Sequence, residues 1–360
     1  MKNSYLTAGT NLPQLIKLLR RNPVSYHPKY LLRILFLLQS ACWSSLFGYI
    51  ENRRFRKKIE ASPIPKAPIF IIGHWRTGST LLHQIMNLDP NMSTPTLFQV
   101  AEPGCFLTSY KYYKPIMKLL LGKNRPMDQV KLGMDEPQED EYAIYRLTNH
   151  SPLERLVFPI NSRYFLRNYT SFVPEGSEKT KWENQILNFF KKLNFEEDKT
   201  IVSKNPFNSL RIKELTSLFP DARFIHIYRH PHEVIPSTMH LWKIVQKQNS
   251  LNSNGAPPSV DDVIDYLDHF WNVIRQDLSS ISSENRYVLR FEDLEKDSEK
   301  AIKDLYSYFR IPFSDIFRDN LESFRQELQG YHKNQYHLTT EEKEQISKRL
   351  KPHMEYFGYL

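Results

Sequence analysis

The sequence is short of cysteine and of glycine. Two cysteines, Cys42 and Cys105, stand in 360 residues. That is too few for a disulfide framework or a thiolate zinc site, and it suits a reducing compartment, with one disulfide the most the chain can form. Glycine is held to 11 residues against 20 tyrosines and 22 phenylalanines, so the few present are expected where only glycine fits the backbone. No compact apolar run followed by a small-residue cleavage site opens the chain, so a cleavable signal peptide is not expected. Acidic residues are in deficit too: 40 against 49 lysines and arginines, a formal charge of +9, which favours anionic partners. The basic residues are scattered rather than set in a stripe with interleaved aromatics, which argues against nucleic acid. What is abundant is apolar: 40% hydrophobic and 13% aromatic content buries a sizeable core and excludes a disordered chain.

Residues 11–22 and 30–58 read as helices, and the second contains an uncharged run over residues 34–50. Lys29 and Arg33 precede that run and Arg53, Arg54, Arg56, Lys57 and Lys58 follow it, so basic-residue bias assigns no orientation. Three placements stay open: a helix packed on a catalytic domain, a peripheral contact in a membrane interface, and a span, for which the run is short.

From Pro63 the pattern changes. IPKAPIFIIG, residues 64–73, is a proline-bounded apolar run that reads as a buried parallel strand, followed by a loop and a helix over 79–88. Short strands are predicted at 200–205, 223–229 and 286–291, with a helix over 208–219 between the first two. The alternation predicts an α/β fold, a P-loop-type parallel sheet flanked by helices on both faces with an added N-terminal helical segment. The expected division is a helical segment over residues 1–63 and one domain over 64–360, closed by a threonine-capped helix over 340–357. Residues 246–259, rich in asparagine, serine and proline, read as a mobile loop able to act as a lid.

The loop after the first strand, Gly73-His74-Trp75-Arg76-Thr77-Gly78-Ser79-Thr80, has phosphate-loop spacing, in which backbone N–H groups and a helix N-terminus cradle phosphate oxygens. It lacks one residue: Ser79 stands where nucleoside triphosphatases place the lysine that reaches the β and γ phosphates, which weakens an ATPase or kinase reading. Arg76 inside the loop supplies charge for a 5′-phosphate or for the bridging oxygen of a leaving group.

These residues resemble the sulfotransferases that use 3′-phosphoadenosine 5′-phosphosulfate (PAPS). IFIIGHWRTGSTLLHQIMNLDP is similar to the 5′-phosphosulfate loop of their bacterial and protein-tyrosine branches, where an arginine precedes a glycine flanked by Ser or Thr. RFIHIYRHPHEVIPST resembles the 3′-phosphate element, a strand ending in arginine with a serine eight residues on; here 237 − 229 = 8 pairs Arg229 with Ser237. An arginine at a strand end forks onto a phosphate, and a hydroxyl from the next helix completes the anion site. VSKNPFN, residues 202–208, resembles a segment near the active centre of protein-tyrosine sulfotransferases, which implies that Lys204 contacts the transferring sulfuryl group. LRFEDLEKDSEKAI resembles the strand and helix near the family's C-terminus, with Glu292 structural.

The resemblance covers residues 63–313 and implies PAPS as co-substrate, with no metal. The implied cofactor contacts are Arg76, Thr77, Gly78, Ser79, Thr80, Arg229 and Ser237. The implied reaction moves a sulfuryl group to a hydroxyl or amine of a small-molecule, lipid, glycan or peptide acceptor, in a cytoplasmic protein with or without membrane association. Two other readings stay open: a membrane-associated nucleotide-binding protein of the same fold without catalysis, and a divergent P-loop phosphotransferase.

A base for the acceptor proton is the second thing missing. Gln99 stands where many relatives have glutamate, and an amide takes no proton. Substitutes are Glu102, His74 in the loop, and the acidic run MDEPQEDEYAI, in which Pro137 suits the first turn of a helix. Glu139 and Glu141 rank above His74, since a histidine beside a phosphate site as readily donates a hydrogen bond. Residues 106–113 and 162–172 are aromatic-rich and suit either an apolar acceptor pocket or the core.

Overall fold

The computed structural model describes residues 6–22, 24, 27–120, 133–159, 173–195, 197–253, 258–329 and 336–360. Among them the strands β1 (Ile69–Ile72), β2 (Met92–Ser93), β3 (Thr200–Lys204), β4 (Arg223–Tyr228) and β5 (Arg286–Arg290) form one sheet in the order β2-β3-β1-β4-β5. Every pairing is parallel. The sequence IFII of β1 is buried at all four positions, as a strand covered on both faces requires. Ile69 and Ile71 pack with Val202, Ile225, Leu82 and Ile302 in one core cluster. Phe70, pointing the other way, stacks on Phe224 at 5.6 Å and meets Phe219 at 5.8 Å. Each such fully buried side chain contributes about 1.5–3 kcal/mol, which makes the centre of the sheet its most firmly held part.

The strands predicted at 200–205, 223–229 and 286–291 lie within a residue of their expected bounds, whereas the run predicted over 64–73 is a strand only over its second half, β2 was not predicted, and two helices differ. The stretch expected as a helix over 208–219 is a tight turn, Pro206–Leu210, followed by the helix Ile212–Leu218. The C-terminal helix is two helices, Thr340–Arg349 and Lys351–Tyr356. Pro352 has no N–H to continue the ladder and restarts the helix instead. The capping threonine is Thr339, in a reciprocal cap with Glu342.

The chain forms two compact units. The sheet unit comprises Lys66–Thr94, Lys199–His240 and Pro258–Leu360, and the helical unit Met1–Pro65, Pro95–Asp198 and Leu241–Pro257. In the helical unit the N-terminal helices Leu12–Arg21 and Pro28–Ala61 share their unit with Phe106–Leu120, Glu141–Thr148 and Ser177–Leu193. Buried polar pairs hold it. Lys192 Nζ pairs with Glu51 and donates to Pro103 O at 2.7 Å, and Glu102 accepts from Ser44 Oγ at 2.8 Å and Cys105 Sγ at 3.3 Å. Burial pushes both carboxyls above the ordinary carboxylate range, against the opposing pull of Lys192 on Glu51 and of Ser44 on Glu102.

The first half of the expected mobile loop is fixed. The helix Pro231–Asn249 runs into it, Asn249 Oδ1 accepts from Leu6 N at 2.8 Å, and Leu251 N donates to Val157 O at 2.7 Å. Residues 254–257 lie outside the described residues. Cys42 is exposed and Cys105 buried, both as free thiols.

Candidate active site at the carboxyl end of the sheet

The loop between β1 and the helix Ser79–Met86 is shaped by crowding. A Cβ on Gly73 would lie 2.3 Å from Ile227 O of β4, and one on Gly78 1.9 Å from the Phe291 ring. Both glycines also have positive φ, +140° and +88°, so glycine is required twice over. Ser209 Oγ accepts from Gly73 N at 2.8 Å and donates to Gly73 O at 3.2 Å. Thr77 Oγ1 donates to His74 O at 2.8 Å, closing the loop from within. Gly78 caps the helix without a side-chain hydrogen bond, which leaves its first N–H groups and the positive end of its dipole facing the loop.

Arg76 sits in this loop at φ 67°, a left-handed conformation that costs an L-residue roughly 1–2 kcal/mol. Its Nε donates to Ser237 Oγ at 2.8 Å, joining segments 161 positions apart. Arg229, the residue after β4, points Nη1 at Arg76 O at 3.5 Å, pairs through Nη2 with Glu233 at 3.1 Å, and lies 4.7 Å over the Phe291 ring. Lys204 ends β3, is buried, and places Nζ 3.4 Å from Thr80 Oγ1. Burial, with the Lys204 charge adding to it, pushes His83 down to about 3. Three cations, two hydroxyls and a helix N-terminus thus gather at one end of a parallel sheet, where ligands of such sheets bind, and the set is matched to a polyanion.

His74 is buried between Trp75 and Phe270, at 5.1 and 5.4 Å. Its Nδ1 donates to Trp75 O at 3.0 Å, Nε2 has no hydrogen-bond partner, and burial pushes its pKa down to about 4. The ring is therefore neutral at pH 7 with one nitrogen lone pair unused.

The structure gathers His74, Arg76, Thr77, Gly78, Ser79, Thr80, Lys204, Arg229 and Ser237 in the sheet unit, while Glu139 and Glu141 belong to the helical unit. Glu141 opens the helix Glu141–Thr148, is wholly buried, and accepts from Ser151 Oγ at 2.5 Å. Glu139 is half-buried. Pro137 is not in that helix's first turn: it bridges to Thr96, and Gln138 N donates to Pro95 O at 2.8 Å, which keeps the segment extended. Gln99 has a structural task. Its Oε1 accepts from Thr96 N at 2.9 Å while Thr96 Oγ1 accepts from Gln99 N at 3.3 Å, a reciprocal cap on the helix Leu97–Ala101. Of the aromatic-rich stretches, Phe106 is buried while Tyr110 and Tyr112 are exposed, and residues 162–172 lie outside the described residues.

Sequence reasoning missed Ser209 and Phe291. Their signal is position: Ser209 falls in the turn after β3 and Phe291 directly after β5, both at the carboxyl end of the parallel sheet. Among the described residues no group of three or more His, Cys, Asp or Glu is placed to hold a metal ion.

Known proteins sharpen the chemistry. The sulfotransferase family model matches residues 68–315. The chain is 29% identical over 355 residues, 98% of itself and 91% of the relative, to the omega-hydroxy-beta-dihydromenaquinone-9 sulfotransferase Stf3 of Mycobacterium bovis, and equally to Stf3 of Mycobacterium tuberculosis. Its fold is shared with the solved sulfotransferase STF9 of Mycobacterium avium, at TM-score 0.69 and 15% identity over 99% of this chain and 92% of that one. STF1 of Mycobacterium tuberculosis H37Rv superposes at TM-score 0.61 and 16% identity, covering 94% of this chain and 90% of that one.

Proposed function

The chain belongs to the sulfotransferase family, and on that premise we propose that Arg76, Lys204, Arg229 and Ser237 hold its sulfuryl donor. It is a sulfotransferase, moving a sulfuryl group to an acceptor, and PAPS is the usual co-substrate of the family. The observation that carries the reading is the 2.8 Å bond between Arg76 Nε and Ser237 Oγ. It ties the loop of one anion motif to the helix of the other, so one molecule with two phosphate-bearing ends is the ligand that both motifs serve.

The residues fit that group. Two glycines hold the cradle open where any Cβ would collide, and the helix behind it has no side-chain cap. In this reading Arg76 and the backbone of Thr77, Gly78, Ser79 and Thr80 take the 5′ end, Arg229 and Ser237 the 3′-phosphate, and Lys204 the sulfuryl oxygens. The bound group supplies an activated sulfuryl; the protein supplies fixed positive charge where negative charge grows. As proton acceptor we place Glu139 first, because Glu141 is wholly buried against Ser151. His74, neutral with a free Nε2, is the alternative inside the loop.

The acceptor is proposed as the hydroxyl of a lipid of the menaquinone type, the substrate class that the Stf3 relatives are named for, within the wider set of hydroxyl- or amine-bearing small molecules, glycans and peptides. The working place is the cytoplasm, with a peripheral membrane contact through residues 34–50. Calorimetric titration with adenosine 3′,5′-bisphosphate tests the donor half: binding is expected, weakened about 10–100-fold in Arg229→Ala. Absence of binding, or a preference for ATP, overturns it. Transfer of labelled sulfuryl from PAPS tests the acceptor half: label on water-soluble alcohols or amines but not on an ω-hydroxylated menaquinone removes the lipid.

A further inference from the structure

The helix Pro28–Ala61 has two faces of opposite character. One is pinned by polar bonds inside the helical unit. Arg33 Nη1 donates to Ser250 O at 2.6 Å, Ser40 Oγ accepts from Gly9 N at 3.0 Å, Ser44 Oγ donates to Glu102 at 2.8 Å, and Glu51 pairs with Lys192. All four residues are buried. The other face carries Leu32, Leu35, Trp43, Leu46 and Ile50, between 40% and 69% exposed, at spacings that keep them on one helical seam. Only 28% of the most apolar 18-residue window is buried, so this is no core helix.

The seam does not end with the apolar residues. It continues into exposed Arg53, Arg54 and Lys57, and Lys29 stands exposed at the other end. The helix carries two acids: Glu51 on the buried face, and Glu60 at its C-terminal end, exposed and paired with Arg56. The helix Phe106–Leu120 adds Tyr112, Ile116 and Leu119, 63%, 53% and 87% exposed. Tyr112 stacks on Phe47 at 6.4 Å, which makes the two apolar faces continuous, and Lys111 and Lys118 are exposed on that helix. An apolar patch of this extent marks an interaction surface. Trp43, Tyr49 and Tyr112 are residues that favour headgroup depth, and Arg53 Nη1 donates to Tyr49 Oη at 2.8 Å.

We propose that these two helices form one docking face that lies flat in the interface of an anionic lipid bilayer. The apolar seam enters the acyl boundary and the flanking basic residues, in excess over the single exposed acid Glu60, meet lipid phosphates. The pinned face rules out a span: crossing the bilayer would strip Arg33 and Glu51 of their partners and carry them into hydrocarbon. A second copy of the chain fits less well, because a two-fold contact through this face sets one basic seam against another. The inference refines the peripheral contact stated above and rests on no assumption about sulfuryl transfer.

The test is flotation of the full chain with phosphatidylcholine vesicles, with and without phosphatidylglycerol. Binding is expected to the anionic vesicles and to weaken with salt. Leu35→Glu with Leu46→Glu, and separately Leu119→Glu, are expected to weaken it about tenfold or more, while adenosine 3′,5′-bisphosphate binding and Tm stay unchanged. Arg53→Gln with Arg54→Gln is expected to remove the preference for anionic lipid. No vesicle binding, binding indifferent to both leucine variants, or a dimer that Leu46→Glu dissociates without any vesicle binding overturns the proposal. Vesicle binding by a chain that ignores adenosine 3′,5′-bisphosphate leaves this inference standing and removes the donor reading.

Discussion

In the sheet unit the fully buried titratable groups include histidines, whereas in the helical unit they include carboxylates, and the two respond to acid in opposite senses. Burial holds His74, His83 and His226 at about 4, 3 and 3. The unfolded chain protonates near 6.5, so the stability that these rings contribute is complete above 6.5 and is lost as pH falls toward 4 and 3. Glu51 and Glu102 are raised instead, so their contribution is complete below the ordinary carboxylate pKa and is lost as pH rises through their folded values. The difference reflects how each unit uses charge. The helical unit consumes charge internally, Lys192 on Glu51 and Arg146 on the Val100 and Tyr142 carbonyls at 3.1 and 2.8 Å. The sheet unit keeps its buried rings neutral and concentrates Arg76, Lys204 and Arg229 at one end of the sheet.

The hardest test of that contrast is Lys192→Ala, which leaves Glu51 buried without its partner. Denaturant unfolding should show a loss of about 3–5 kcal/mol, shrinking as the pH is lowered and Glu51, whose pKa burial raises, takes up a proton. A loss under about 1 kcal/mol would break the comparison on its helical side. Next, Arg76→Ala should cut sulfuryl transfer on the order of 10²–10³-fold with little change in Tm; a large fall in Tm would mean that charge in the sheet unit also serves the fold. His226→Leu sharpens the acid response: the slope of stability against pH should drop by about half a proton at pH 6.5 and about one proton at pH 5, roughly 0.7 and 1.4 kcal/mol per pH unit. An unchanged slope would mean that His226 is not neutral in the folded chain. The smallest effect is expected for Gln99→Glu, which can still accept from Thr96 N; stability should move by no more than about 0.5 kcal/mol, with transfer unchanged. A large gain in transfer would identify position 99 as the place for a base.

Four of the five strands were legible because each is a local event; β2, two residues long, was not. IFII and RFIHIY are apolar runs bounded by residues that stop them, and both anion motifs sit within a single strand-turn-helix stretch. What joins those motifs was not legible: the Arg76–Ser237 bond spans 161 positions and the Glu51–Lys192 pair 141, and nothing in either neighbourhood announces its partner. Gln99 shows the converse. A residue that looks like a lost base has a local task as a helix cap, because the same side chain length suits both. Asn249 and Ser250 misled for a related reason. A polar side chain that favours loops also satisfies distant backbone groups, as Asn249 Oδ1 does for Leu6 N, and the backbone carbonyl of Ser250 accepts from the distant Arg33 guanidinium.

Arg76 and Gly78 are two positions apart, both at positive φ, and a substitution scan would tell them apart. At Gly78 any side chain meets the Phe291 ring, so every replacement should lower abundance and activity together. At position 76 the backbone already bears a side chain in a disfavoured conformation, and that cost falls about equally on lysine, glutamine or alanine. Abundance should therefore be nearly flat across replacements there while activity collapses, so chemistry alone, and not folding, accounts for an arginine at that turn.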